Sequence, residues 1–225
     1  MIPRAKEPFR FISRLSLTVM TGIKAKDLKE LLEHLKVVPE SVIYEHTHRF
    51  LQQHQYLIPE PPNDFSYWVT SMLQDEELGE RLAAIDTIRF NSLNDLRQAI
   101  ASAIENRLKK NNHLRQVPEG KEFHFMRAIR FSIPTQYQAH DLAEFMDRLK
   151  KVSISSLYLH IFEAKLRPPL GINDFSHWFE TQIGEKALAK KVASLDPYTQ
   201  TLEGLRSRII GFIEKRLQES SYAAT

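Results

Sequence analysis

The sequence predicts a mostly helical α+β protein of two tandem, pseudo-symmetric repeats, each one N-terminal strand followed by about five helices. Three observations lead there. First, the chain matches itself: residues 9–51 align without gaps on 123–165, an offset of 114, and thirteen of the 43 pairs are identical. They include Phe9/Phe123, Phe11/Phe125, Ala25/Ala139, Asp27/Asp141, Leu28/Leu142, Glu30/Glu144, Leu35/Leu149, Tyr44/Tyr158 and His46/His160. The register then drops by four, and Asn63-Asp64-Phe65-Ser66-Tyr67-Trp68 falls on Asn173-Asp174-Phe175-Ser176-His177-Trp178. After one more single-residue shift, Leu93 to Leu108 matches Leu202 to Leu217. Self-similarity at a nearly fixed spacing is the mark of a repeated structural unit. Second, each copy opens with apolar residues at every other position. Third, everything after that opening has helical spacing.

The opening strand is read from Phe9, Phe11, Leu15, Leu17 and Val19 alternating with Arg10, Arg14, Ser16 and Thr18, and from Phe123, Phe125, Ile129, Phe131 and Ile133 in the second copy. Period two predicts a half-buried strand. A lone strand is unstable, so the two strands are expected to pair, directly or through a dimer. The first helix follows from Leu28, Leu31, Leu32 and Leu35, and from Leu142, Phe145, Met146 and Leu149, at i, i+3, i+4, i+7. Pro39 suits a first helical position and Ser153 a cap for the second helix, which runs through Ile43, His46, Thr47 and Phe50. Asn63-Asp64 caps a third helix; a fourth covers Leu78, Leu82 and Ile85, and a fifth Leu93 to Leu108. The repeats are placed at 1–110 and 122–225, with 111–121, rich in Asn, Pro and Gly, as linker.

The 225 residues are 42% apolar and 26% charged, enough for a proper core and too apolar for a disordered tail. Zero cysteines remove disulfides, thiol nucleophiles and thiolate metal sites. Residues 1–120 carry 16 Lys+Arg against 16 Asp+Glu, and 121–225 carry 15 against 12, so the net charge of +3 is spread thinly. Nucleic-acid modules concentrate their cations; the densest cluster here, Arg107, Lys109, Lys110 and Arg115, reads as a solvated helix end. Nucleic acid is therefore an unfavoured partner. A charged start and the lack of any apolar run near 18 residues predict a cytoplasmic protein without a membrane partner.

His46 and His160 occupy the same place in both copies, and each can pair with the acidic residue of the third-helix start, Asp64 or Asp174, as a general base with its orienting carboxylate. The helical wheel favours another role. His46 lies three residues after Ile43 and four before Phe50, on the apolar face, where a satisfied core histidine is the commoner occupant. An enzyme also rarely needs its base twice. Trp68 and Trp178 offer a stacking platform, but each lies three residues from a Phe and suits the core. The first copy alone carries His48, Arg49, His54 and Tyr56. His46 and His54 are about 12 Å apart on one helix at ~1.5 Å per residue, and no His-Glu-x-x-His pattern or thiolate joins them. The residues call for no metal and no cofactor. There is no GxGxxG, P-loop or Gly-x-Ser-x-Gly elbow.

Thr21, Gly22, Ala25 and Leu28, then Tyr44-Glu45-His46-Thr47-His48, Pro59-Glu60-Pro61-Pro62-Asn63-Asp64-Phe65 and Leu96-Arg97 carry a resemblance. With its Asn-Asp-Phe-Ser-x-Trp string in both copies, the chain resembles a family of uncharacterised bacterial and archaeal proteins known only as a domain of unknown function. The resemblance implies an accessory role, in association with carbohydrate or phosphotransfer metabolism, and it supplies no catalytic residues. The reading is a non-enzymatic accessory or interaction module. Its partner would be a protein or a small polar ligand, and homodimerisation is open to it. The candidate binding residues are His46, His48, Arg49, His54, Tyr56, Asp64, Trp68, His160, Asp174 and Trp178. The rival reading is a metal-dependent or acid–base enzyme using the His46/Asp64 region.

Overall fold

The structure, a computed structural model, describes residues 3–53, 63–110, 115–166, 171–195 and 201–222. Among these the order is β1 (Phe9–Ala25), α1 (Leu28–Val37), α2 (Glu40–Gln53), α3 (Asp64–Ser71), α4 (Glu76–Ala83) and α5 (Leu93–Lys110). Then come β2 (Phe123–Ala139), α6 (Leu142–Leu149), α7 (Ile154–Ile161), α8 (Asp174–Trp178), α9 (Lys186–Ala193) and α10 (Leu202–Tyr222). The protein is mostly α. No described helix is long and apolar enough to cross a membrane.

Local chemistry sets the helix starts. Asp27 accepts from the amides of Lys29 and Glu30, Asn63 from Ser66, Ser153 from Ser156 and Asn173 from Ser176, each satisfying a donor the first turn cannot use itself. Pro39 stands one residue before α2 rather than at its first position, and its carbonyl accepts from Val42 N at 2.9 Å.

The two strands pair with each other. Thr21 Oγ1 donates to Phe125 O at 2.5 Å and Thr135 Oγ1 to Phe11 O at 2.6 Å, so the strands run antiparallel. Each has an open edge, which is where Pro134 can be accommodated. Two compact units result, and both divide the strands internally. One holds 16–53, 63–110 and 115–130: the end of β1, α1–α5 and the start of β2. The other holds 3–15 and the described residues from 131 on: the start of β1, the end of β2 and α6–α10. The boundaries expected from the sequence follow the repeat, whereas the compact units follow the packing: each takes its opening strand segment from the other half of the chain.

In the α1–α5 unit, Phe123 and Phe125 meet at 5.0 Å between ring centres, and Phe123 stacks on Phe65 at 5.1 Å with Trp68 edge-on at 5.7 Å. In the α6–α10 unit, Phe9 contacts Phe11, Phe145, Phe175 and Trp178 at 4.8–5.7 Å. The period-two reading holds where helices cover the sheet and fails elsewhere. Leu15 and Leu17 are 46% and 48% exposed, and Phe131 and Ile133 are 47% and 46%. Alternation puts side chains on one face; it does not say how far along that face the helices reach.

Candidate functional site

The two histidines singled out by position occupy matching surroundings. In the α1–α5 unit, His46 Nδ1 lies 2.8 Å from Asp64 Oδ2, and Nε2 accepts from the backbone amide of Met126 at 2.9 Å. In the α6–α10 unit, His160 Nδ1 lies 2.6 Å from Asp174 Oδ2, and Nε2 accepts from Ile12 N at 3.0 Å. A backbone N–H can only donate, so Nε2 carries the lone pair and the proton sits on Nδ1, facing the carboxylate. Met126 N and Ile12 N belong to strand edges, whose outward amides need partners. Each imidazole therefore closes one edge, buried to 3% exposure against Phe65 and Phe123 or Phe9 and Phe175. The nitrogen a general base would use is already engaged.

Trp68 and Trp178 are 5% and 4% exposed, and their indole N–H groups donate to Lys121 O and Glu7 O, both at 2.8 Å. Neither ring faces solvent as a stacking platform.

The residues peculiar to the first half build a different environment. His48 is 1% exposed, 3.0 Å from Thr47 Oγ1, and stacked on Tyr44 at 5.7 Å. Arg130 on β2 places its guanidinium 4.2 Å from the Tyr44 ring centre. Burial, with the Arg130 charge adding to it, pushes His48 down to about 4. One position before His46, the buried Glu45 accepts from Thr18 Oγ1 at 2.6 Å and lies 3.3 Å from Arg49 Nε. Its second oxygen, Oε2, has no hydrogen-bond partner among the described residues, and neither have Arg49 Nη1 and Ser16 Oγ, all three buried. Such atoms are costly unless something completes them.

The α6–α10 unit closes the corresponding place. Glu163, which aligns with Arg49, accepts from Arg14 Nε at 2.7 Å, and Arg14 Nη1 donates to Ser132 Oγ at 2.7 Å. Sequence reasoning found His48 and Arg49 but missed Glu45, Thr18, Ser16 and Arg130 as their company. Glu45 had one signal: a Leu, Leu159, stands at its matched position. His54 and Tyr56 lie outside the described residues. His46 and Asp64 do come together; His48 joins Tyr44 and Thr47 instead. Among the described residues no group of three or more His, Asp or Glu side chains is placed to hold a metal ion.

Residues 6–214 match the model of a family of unknown function, DUF5752. The solved structure of OrfY from Thermoproteus tenax is similar to this chain, with 25% sequence identity and a TM-score of 0.80 over 95% of this chain and 97% of that one. Among curated protein sequences, none matches.

Proposed function

The chain belongs to the DUF5752 family, whose function is unknown, and from that premise we propose that it is a non-enzymatic accessory or interaction module. One observation carries the reading: both matched histidines spend Nε2 on a strand-edge amide, so the pair that most resembles an acid–base dyad is committed to holding the sheet. The His–Asp pairs, tryptophans and caps then belong to the scaffold, built twice by a tandem duplication. Recognition belongs to the first half alone, around His48, Arg49 and Glu45 and the segment up to Pro62. That segment is four residues longer than its counterpart and carries His54, Gln55 and Tyr56. Polar and aromatic side chains on a connection over a rigid scaffold suit a binding surface. The association with carbohydrate or phosphotransfer metabolism is proposed from family resemblance, as is a cytoplasmic setting.

Replacing Gln52–Pro61 with the shorter connection of the second half tests the reading. The chimera should melt within a few degrees of the parent. A ligand or partner found by thermal-shift screening should bind it at least tenfold more weakly, about 1.4 kcal/mol. Equal binding by the chimera removes recognition from this segment. Near-stoichiometric zinc, iron or manganese in protein purified without chelators would favour the metal-dependent rival.

A further inference from the structure

The α6–α10 unit contains an open basin of about 500 Å³, lined by Arg4, Gln136, Tyr137, Gln138, His140, Glu144 and Arg148. We propose that this basin binds a small phosphate monoester with a hydroxylated organic part. The volume falls within the range of small-molecule sites, roughly 300–1,000 Å³, and the lining is rich in hydrogen-bond donors. Two guanidinium groups, two carboxamides and a phenol converge from three places: the segment before β1, the end of β2 and α6.

The charges are sorted in a way that favours an anion. Glu144 is already committed to His140, accepting from its backbone N–H at 2.9 Å and from Nδ1 at 3.0 Å. Those bonds, with the Arg4 charge adding to them, hold its carboxyl below the ordinary range, so it stays ionised and bound to its own loop. Arg148 leans on Asp147 Oδ2, an oxygen that Lys151 Nζ shares at 2.9 Å. Arg4 is exposed and makes no ion pair among the described residues. Two cations thus face the basin against one carboxylate that is already occupied. A guanidinium fork matches carboxylate and phosphate alike. The number of donors decides between them: a carboxylate offers two acceptor oxygens, whereas a phosphate monoester offers three strong ones. The carboxamide oxygens of Gln136 and Gln138 then suit hydroxyl groups on the organic part. The positions of the α1–α5 unit that align with the lining of β2 and α6, Gly22, Ile23, Lys24, Lys26, Glu30 and His34, lack the carboxamides, the phenol and the arginine.

This inference does not draw on the proposed recognition segment, whose described residues, 48–53, belong to the other unit. Calorimetric titration of the full chain with glucose 6-phosphate should show saturable binding that inorganic phosphate competes away, with glucose binding at least tenfold more weakly. Arg4→Gln should weaken glucose 6-phosphate at least tenfold without changing the melting temperature. Arg148→Lys should retain more affinity than Arg148→Gln. No saturation by 10 mM glucose 6-phosphate, unchanged affinity in Arg4→Gln, or citrate binding as tightly as inorganic phosphate would each overturn the proposal. The Gln52–Pro61 chimera should bind glucose 6-phosphate like the parent, so the two readings fail separately.

Discussion

The α1–α5 and α6–α10 units hold the same imidazole in the same way and then part company one helical turn later. In the α6–α10 unit, Arg14, Glu163 and Ser132 form a closed set in which the two Arg14 contacts are 2.7 Å. In the α1–α5 unit, Glu45 and Arg49 meet at 3.3 Å and leave buried hydrogen-bonding atoms over. Edge closure, indole donation to a backbone carbonyl and helix capping occur in both units, because each has a strand edge and helix ends to satisfy. The closed and open polar sets differ because nothing in the scaffold requires that place to be polar. What is common therefore reports on folding, and what differs is where binding can be built.

The severest attempt to break this comparison is to remove the indoles. Trp68→Ala and Trp178→Ala should each cost about 3–5 kcal/mol in urea unfolding, the usual range for a buried aromatic. Native tryptophan emission should be blue-shifted, since both rings are buried. A large difference between the two costs would mean that the indoles do unequal jobs.

His48 sharpens the comparison through pH. In the folded chain it takes up a proton near 4, in the unfolded chain near the ordinary 6.5. Between those values the unfolded state binds more protons, so stability rises with pH. The contribution is complete above pH 6.5 and is lost as the pH falls to about 4, a span of about 3 kcal/mol. His48→Phe, which installs the residue found at position 162, should flatten this part of the profile. Urea unfolding at pH 7 and pH 4.5 measures it, and an unchanged difference would place the dependence on other groups.

The imidazoles come next. His46→Ala and His160→Ala should each cost about 1–3 kcal/mol, the penalty for leaving a strand-edge donor and a carboxylate without their shared partner. Variants as stable as the parent that nevertheless lose a binding activity would reverse the structural assignment.

The smallest effect concerns the turn after α3. Gln74 has φ of +56°, while Gly184 occupies the matching turn at +83°. Left-handed backbone suits glycine, so Gln74→Gly should gain roughly 0.5–1 kcal/mol, read as a higher urea midpoint. A loss would mean that the Gln74 side chain contributes more than its backbone costs.

Much of this was legible because it is local. Asn63, Asn173, Asp27 and Ser153 announce helix starts by side-chain chemistry that acts within three residues, and the i, i+3, i+4 spacing of Leu28, Leu31 and Leu32 fixes a buried stripe. Leu15 and Leu17 misled because alternation looks the same under helices and beyond them. Tyr44 and Arg130 were not seen as neighbours because 86 residues separate them. His46 and His160 were legible as core-facing from their apolar faces, but the donors they accept from, Met126 N–H and Ile12 N–H, are backbone groups and leave no trace in residue type.

The exchange of opening strand segments sets an order of events on the growing chain. Helices α1–α5 are made before β2, yet Trp68 finds its carbonyl at Lys121 and His46 its amide at Met126, so that unit stays incomplete until the start of β2 has been translated. Residues 3–15 face the opposite problem. They are made well before helices α6–α10, and Phe9 and Phe11 lack their aromatic core until Phe145, Phe175 and Trp178 have followed. Contacts of such long sequence separation slow folding and leave apolar strand exposed meanwhile. Nascent chains of this protein should therefore be clients for chaperones that hold extended apolar segments such as the start of β1.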